Sequence, residues 1–325
     1  MSELTDVLDI MNGTATSVIV PNGVTTIGQH TFDYMPNLQS ITLPSSLMYI
    51  NGYAFANCSN LTSISLPEGV RYSNNIFQNT NITSITMPSY SVLDAAVFAR
   101  CTTLQSVLIK NYSVVNTASY MFDGCTSLRE IVFEPYVYLP KPGNVTPGIM
   151  CTGLSALQRI VLPKITRIGQ WFGSCTNLNT IELQTGLVTI DQYAFSGLSA
   201  LTNINIPYTV RSIGISAFAN CTHITQIDIP NCVSSIPNYM CNGCTGLLTV
   251  EIGTGVTSIG SYAFNNCSSL ETITFKSTTP PTVGNANTWT NVPTTCTIRV
   301  PTGSLTAYTS ANNYPDPNTY TYVEY

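Results

Sequence analysis

One period governs this chain. From Leu178 the leading apolar residue recurs at Leu201, Ile224, Leu247 and Leu270, each step being 23 residues with no gap. The segment LTNINIPYTVRSIGISAFANC is followed by ITQIDIPNCVSSIPNYMCNGC and then by LLTVEIGTGVTSIGSYAFNNC. Their shared template is L-x-x-I-x-[LI]-P-x-x-V-x-x-I-G-x-x-A-F-x-x-C-x-x. The same template opens at Leu38, Leu61, Ile82, Leu104, Leu128 and Leu157 in the first half. Degenerate rungs stand at Val18, Val20 and Pro21 and at Ile298, Val300 and Pro301. A repeat of this length cannot bury its own apolar face and does so only by stacking on its neighbours. The 325 residues therefore read as one elongated domain rather than two globular ones.

Each unit decodes into local structure. L-x-x-I-x-L ends in period-two alternation, the pattern of a short strand with one face inward. The proline that follows has no N–H and stops the strand. The I-G pair is a turn in which glycine would supply backbone angles that other residues avoid. A-F-x-x-C spaces apolar residues three apart, which suits a helical or 3₁₀ turn. Adjacent rungs pair about 4.8 Å apart, so about a dozen of them span on the order of 55–60 Å.

Residues 1–14 are expected to form a capping helix, since Leu4, Val7, Leu8 and Met11 share one helical face before Asn12-Gly13. Repeats should run over 15–276. The long step from Leu128 to Leu157 is 29 residues, and EPYVYLPKPGNVTPGI within it reads as a protruding insertion near 134–150. Residues 277–325 should hold the last rung and a C-terminal cap, with a short helix in SLTAYTSANNYPDP and a strand in TYTYVEY.

The template resembles the BspA-like leucine-rich repeat of bacterial surface antigens over roughly residues 15–301, and TIRVPTGSLTAY resembles that family's closing segment. The resemblance implies a right-handed leucine-rich-repeat solenoid of short parallel strands, turns and short helical or 3₁₀ segments. It also implies a secreted or surface-attached, non-catalytic protein that binds host proteins or other cells. MSELTDVLDIMNGT has no basic start and no long apolar stretch and does not read as a signal peptide. An internal scaffold in a reducing compartment is the alternative.

Composition narrows the partners. Charged residues are only 8% of the chain, net charge is −5, and 11 Lys and Arg are spread thinly, so nucleic acid is not an expected ligand. No apolar run is long enough to span a bilayer. A protein or cell-surface ligand, a monomer, and no cofactor or metal are expected.

Chemistry-bearing residues mostly fall into template columns. Cys58, Cys101, Cys125, Cys175, Cys221, Cys244 and Cys267 share one, which elsewhere holds Met35, Asn79, Leu154 and Leu198. That reads as buried free thiols acting as small hydrophobes, not disulfides or a metal site. In C-N-G-C, Cys241 takes the phenylalanine position and Cys244 the cysteine position, so a redox role is not favoured. His30 and His223 show no triad spacing. Tyr53, Tyr120, Tyr193, Tyr239 and Tyr262 form a packing stripe rather than an aromatic binding stripe.

The third and fifth residues of L-x-x-I-x-L point away from the core, onto the expected concave face. Hydroxyls dominate the first third, Ser40/Thr42, Ser63/Ser65 and Ser84/Thr86, followed by Ser106/Leu108. Next come Glu130/Val132 and Arg159/Val161, and later Glu182, Asp228 and Glu251. The apolar middle (Leu108, Val132, Val161) beside the insertion, with Glu130 and Arg159, is the expected contact patch. The three acids mark either a second ligand zone or solvated surface.

Overall fold

The computed structural model describes residues 12–116, 120–139, 151 and 153–325. The capping-helix expectation for Leu4, Val7, Leu8 and Met11 lies outside them, as does the insertion from 140 to 150. The fold is a leucine-rich-repeat solenoid of parallel strands, built as two compact units, Met1–Pro163 and Lys164–Tyr325.

In the first unit each rung has three sides. The L-x-x-I-x-L side supplies the strands Ser17–Ile19 and Ser40–Thr42, then Ser84–Met87, Ser106–Ile109, Glu130–Phe133 and Arg159–Val161. The last four pair in parallel with like columns in register, Ser84 to Ser106 to Glu130 to Arg159. The V-x-x-I side supplies five two-residue strands, Thr26–Ile27, Tyr49–Ile50, Arg71–Tyr72, Val92–Leu93 and Val114–Val115, in one unbroken sheet. On the third side Phe32, Phe55, Phe77, Phe98 and Phe122 stack ring on ring at 5.5–5.9 Å.

The second unit repeats the plan. Gln226–Ile229, Thr249–Ile252, Thr272–Phe275, Thr297–Val300 and Thr321–Glu324 form one parallel sheet. The last of these follows the helix Leu305–Thr309. Its V-x-x-I side is two three-stranded sheets, broken between Ser212–Ile213 and Ser235–Ile236. Phe172, Phe195 and Phe218 stack, Cys241 interrupts, and Phe264 resumes against Trp289.

Two local expectations need correction. The A-F-x-x-C side is a run of turns, not a helix. Its tyrosine and asparagine columns sit at positive φ, as at Tyr53 and Asn57, both 60°. That flips successive peptides, so Phe55 and Asn57 donate to Ile76 O and Gln78 O of the next rung while Ala56 donates back to Tyr53 O. Left-handed backbone costs a non-glycine residue about 1–2 kcal/mol; a hydrogen bond to the next rung at each flip offsets it. The glycine of I-G, for its part, is needed for space, not angle. A Cβ on Gly214 would lie 2.2 Å from Gln192 N, and one on Gly260 would lie 2.4 Å from Asn238 N.

The cysteine column has a polar duty as well as an apolar one. None of the eleven cysteines is in a disulfide and only Cys232 is exposed. The thiols of Cys58, Cys101 and Cys125 donate to Phe32 O, Phe77 O and Phe98 O of the preceding rung at 2.9–3.0 Å. Those of Cys221 and Cys244 donate to Phe195 O and Phe218 O at 3.1 Å. The slot read as Asn79 is filled by Thr80, which is buried and donates to Phe77 O of its own rung at 2.8 Å rather than to the preceding rung. A short rung of 21 residues between Leu61 and Ile82 moved the column by one.

Candidate functional site

The strand faces of the two units carry the candidate residues. In the first unit Leu108, Val132 and Val161 are direct cross-strand neighbours. Ser106, Glu130 and Arg159 form the adjoining row. Pairs directly opposite one another on a sheet are the closest side-chain neighbours it offers. Glu130 and Arg159 join across the strands at 2.5 Å, both part-exposed, a pair worth no more than about 1 kcal/mol at such a surface. Leu108 and Val132 are half-buried, but Val161 is 9% exposed. Its expected place in the contact surface is therefore corrected: it is a packing residue, set beside Val132 in the apolar row.

A trough of about 850 Å³ runs along this face. Ser63, Ser65, Ser84, Thr86 and Ser106 line it, Leu108 and Val132 lie at one end, and Glu68 and Lys110 border it. It opens where the rung Leu61–Pro67 leaves the sheet. That rung forms no strand, and Ile64 and Leu66 are half-exposed where Ile85 and Met87 of the next rung are buried. Sequence reasoning missed Glu68 and Lys110. They stand just beyond the strands, where the template marks only a turn.

In the second unit Glu182 and Asp228 are exposed and Glu251 is half-buried. Asp228 and Glu251 are paired in register. Gln226 Nε2 donates to both oxygens of Asp228 at 2.9–3.0 Å. Glu251 holds Lys276 Nζ at 2.5 Å, and that hydrogen bond raises the lysine above its ordinary range. Asp228, Glu251 and Lys276 share a depression of about 370 Å³ with Asn205, Tyr208 and Asn231. Lys276 and Tyr208 went unread because neither occupies an outward strand column. Two of the three acids, Asp228 and Glu251, are thus engaged, one by an amide and one by an ammonium.

The remaining singled-out residues take structural places. His30 Nδ1 meets Asp33 Oδ2 at 2.7 Å and its ring stacks on Tyr53 at 5.0 Å. His223 lies against Ser199 O at 2.6 Å. Tyr239 and Tyr262 stack at 4.9 Å. Cys241 is fully buried and its thiol is raised well above its ordinary value by that burial. A thiol so held is poor in thiolate and unsuited to redox exchange. Among the described residues no cluster of three metal-ligating side chains occurs, and no helix is long and apolar enough to cross a membrane.

Comparison with known proteins places these rungs. The BspA-type leucine-rich repeat region matches six times, over residues 11–105, 72–139 and 153–286. No curated protein matches the sequence. Among solved structures, a leucine-rich repeat protein from Bacteroides ovatus is 24% identical, with 80% of this chain and 79% of that one covered and a TM-score of 0.45. A leucine-rich cell surface protein from Faecalibacterium prausnitzii is 20% identical over 93% of this chain and 91% of that one, with a TM-score of 0.37. The pneumococcal vaccine antigen PcpA is 17% identical over 96% and 89%, with a TM-score of 0.41.

Proposed function

The chain belongs to the BspA-type leucine-rich repeat family, and from that premise we propose that it is a non-catalytic adhesion module that engages a protein on a cell surface. Leucine-rich-repeat solenoids are protein-interaction modules, and their regular strand face offers many shallow contacts at once. The observation that carries the reading is the half-exposed apolar pair Leu108 and Val132, in register and flanked by the Glu130–Arg159 ion pair. An apolar centre rimmed by charge is the usual anatomy of a protein contact.

The test uses fluorescently labelled protein and intact cells, with and without prior protease treatment. Cell binding that protease removes and that Leu108→Glu or Val132→Glu abolishes is the expected result. Binding that survives both substitutions would sink the reading. An internal scaffold in a reducing compartment is the second reading, supported by eleven cysteines of which none is in a disulfide. Under it, labelled protein fails to bind any cell type.

A further inference from the structure

Beyond the protein contact, the hydroxyl end of the first unit's trough has a chemistry of its own. From the residues lining it, we infer that it binds an extended pyranose chain, one sugar to each rung.

Three observations converge on that occupant. The first is functional-group content. Ser63, Ser65, Ser84, Thr86 and Ser106 line the trough. A hydroxyl both donates and accepts, so such a row matches a polyhydroxylated ligand without demanding one polarity. The second is charge. Glu130 is neutralised by Arg159, which leaves Glu68 and Lys110 of opposite sign on the border. The trough therefore favours a neutral ligand over an anion or a cation.

The third is spacing. Ser84 and Ser106 are strict register partners and Thr86 faces Leu108, so polar groups on neighbouring rungs stand one inter-strand distance apart, about 4.8 Å. A residue of an extended β-linked pyranose chain advances by about the same step, and because alternate residues are turned over, the same face returns about every second rung. An extended peptide advances about 3.3 Å per residue, or about 6.6 Å between side chains on one face, and falls out of step after one rung. The three rungs in register, at Ser84, Ser106 and Glu130, span about 10 Å, room for three sugars, one to a rung; the loosened rung of Ser63 and Ser65 lies beyond them. At the far end Leu108 and Val132 offer an apolar floor for the C–H face of a ring. In the second unit the depression around Asp228 and Glu251 is lined by amides, charges and apolar side chains, and the in-register Ser235, Ser258 and Thr282 of its V-x-x-I side spend hydroxyls within the protein, Ser258 donating to Ser235 Oγ at 2.8 Å and Thr282 to Thr257 O at 3.3 Å.

The test is calorimetry and saturation-transfer NMR on the full chain with cellohexaose, chitohexaose and β-1,4-mannohexaose. At least one binds. Ser84→Ala combined with Thr86→Val removes two exposed hydroxyls and weakens that binding by roughly tenfold or more. Ser84→Thr, which keeps the hydroxyl, retains it. Thr272→Val in the second unit, with unchanged melting, leaves it intact. No binding of any of the three at about 5 mM, or equal affinity in the double variant, overturns the inference. Neither outcome touches the protein contact, whose signature is protease-sensitive binding to cells.

Discussion

Each unit contains one rung whose leading segment leaves the sheet, and the two leave it differently. In the first unit the rung is Leu61–Pro67, and Ile64 and Leu66 come half out into the trough. In the second it is Leu201–Pro207, and Ile204 and Ile206 stay buried, 5% and 7% exposed. The opposite sides behave the other way round. The V-x-x-I ladder runs unbroken past the first unit's loosened rung, whereas in the second unit it stops after Ser212–Ile213. A three-sided rung can thus lose one ladder and remain in register through the others. What it yields depends on the core residue behind it. The first unit places Tyr72, fully buried, in the column that holds Ile50 and Leu93 in adjacent rungs. The second keeps Ile213 there. A larger side chain in a close-packed interior forces its neighbours outward. Ile64 and Leu66 belong to the same rung as Tyr72, and their exposure fits that displacement.

The comparison can be broken most severely with base. In the first unit burial raises three thiols, Cys58, Cys101 and Cys125. In the second it raises four, Cys221, Cys241, Cys267 and Cys296. Burial pushes Cys58 up to about 11 and both Cys101 and Cys296 up to about 12, against 9 for a free thiol. A group whose folded value is raised contributes stability that is complete below its unfolded value and is lost as pH climbs toward the folded one. Each such thiol then costs about 1.4 kcal/mol per pH unit. Between pH 9 and 11 the protein should lose stability steeply, and hydrogen exchange resolved by segment should show the second unit opening first. Equal loss in both units would mean that the thiol columns do not distinguish them.

A single buried charge is the next largest effect. Ile204→Asp should cost about 3 kcal/mol or more in urea unfolding, because it buries an unpaired carboxylate. Ile64→Asp, at the loosened rung of the first unit, should cost about 1 kcal/mol or less. Similar costs at the two positions would show that the rungs do not differ as described.

The smallest effect tests the cause. Tyr72 Oη is buried and, among the described residues, closes no hydrogen bond, since the neighbouring Ser91 hydroxyl donates to Pro88 O at 2.7 Å. Tyr72→Phe should therefore stabilise the protein by about 1 kcal/mol. It should leave the amides of Ile64 and Leu66 fast to exchange, since the ring remains. Tyr72→Ile should slow them. Fast exchange in both variants would remove Tyr72 as the reason for the opening.

Much of this was legible before any coordinates. The register Ser84, Ser106, Glu130, Arg159 could be read by counting from each leading residue, and so could the inward file of Val107, Ile131 and Ile160. The slip at Asn79 came from counting from the leading residue of a rung two residues shorter than the regular ones; counting three from Phe77 gives Thr80, and its burial shows that it fills the slot. Val161 looked outward by alternation, yet exposure also depends on what packs beside a residue. Lys276 could not be placed because its partner, Glu251, lies a full rung earlier.

The repeat alone determined that the chain stacks in parallel, which residues enter the core and which columns face outward. These follow from local periodicity, since every rung must bury the same stripe against the next. Tertiary structure alone decided where a ladder opens, which outward residues are covered and which charges neutralise each other. Those outcomes depend on volumes and distances between successive rungs, quantities that no single rung encodes.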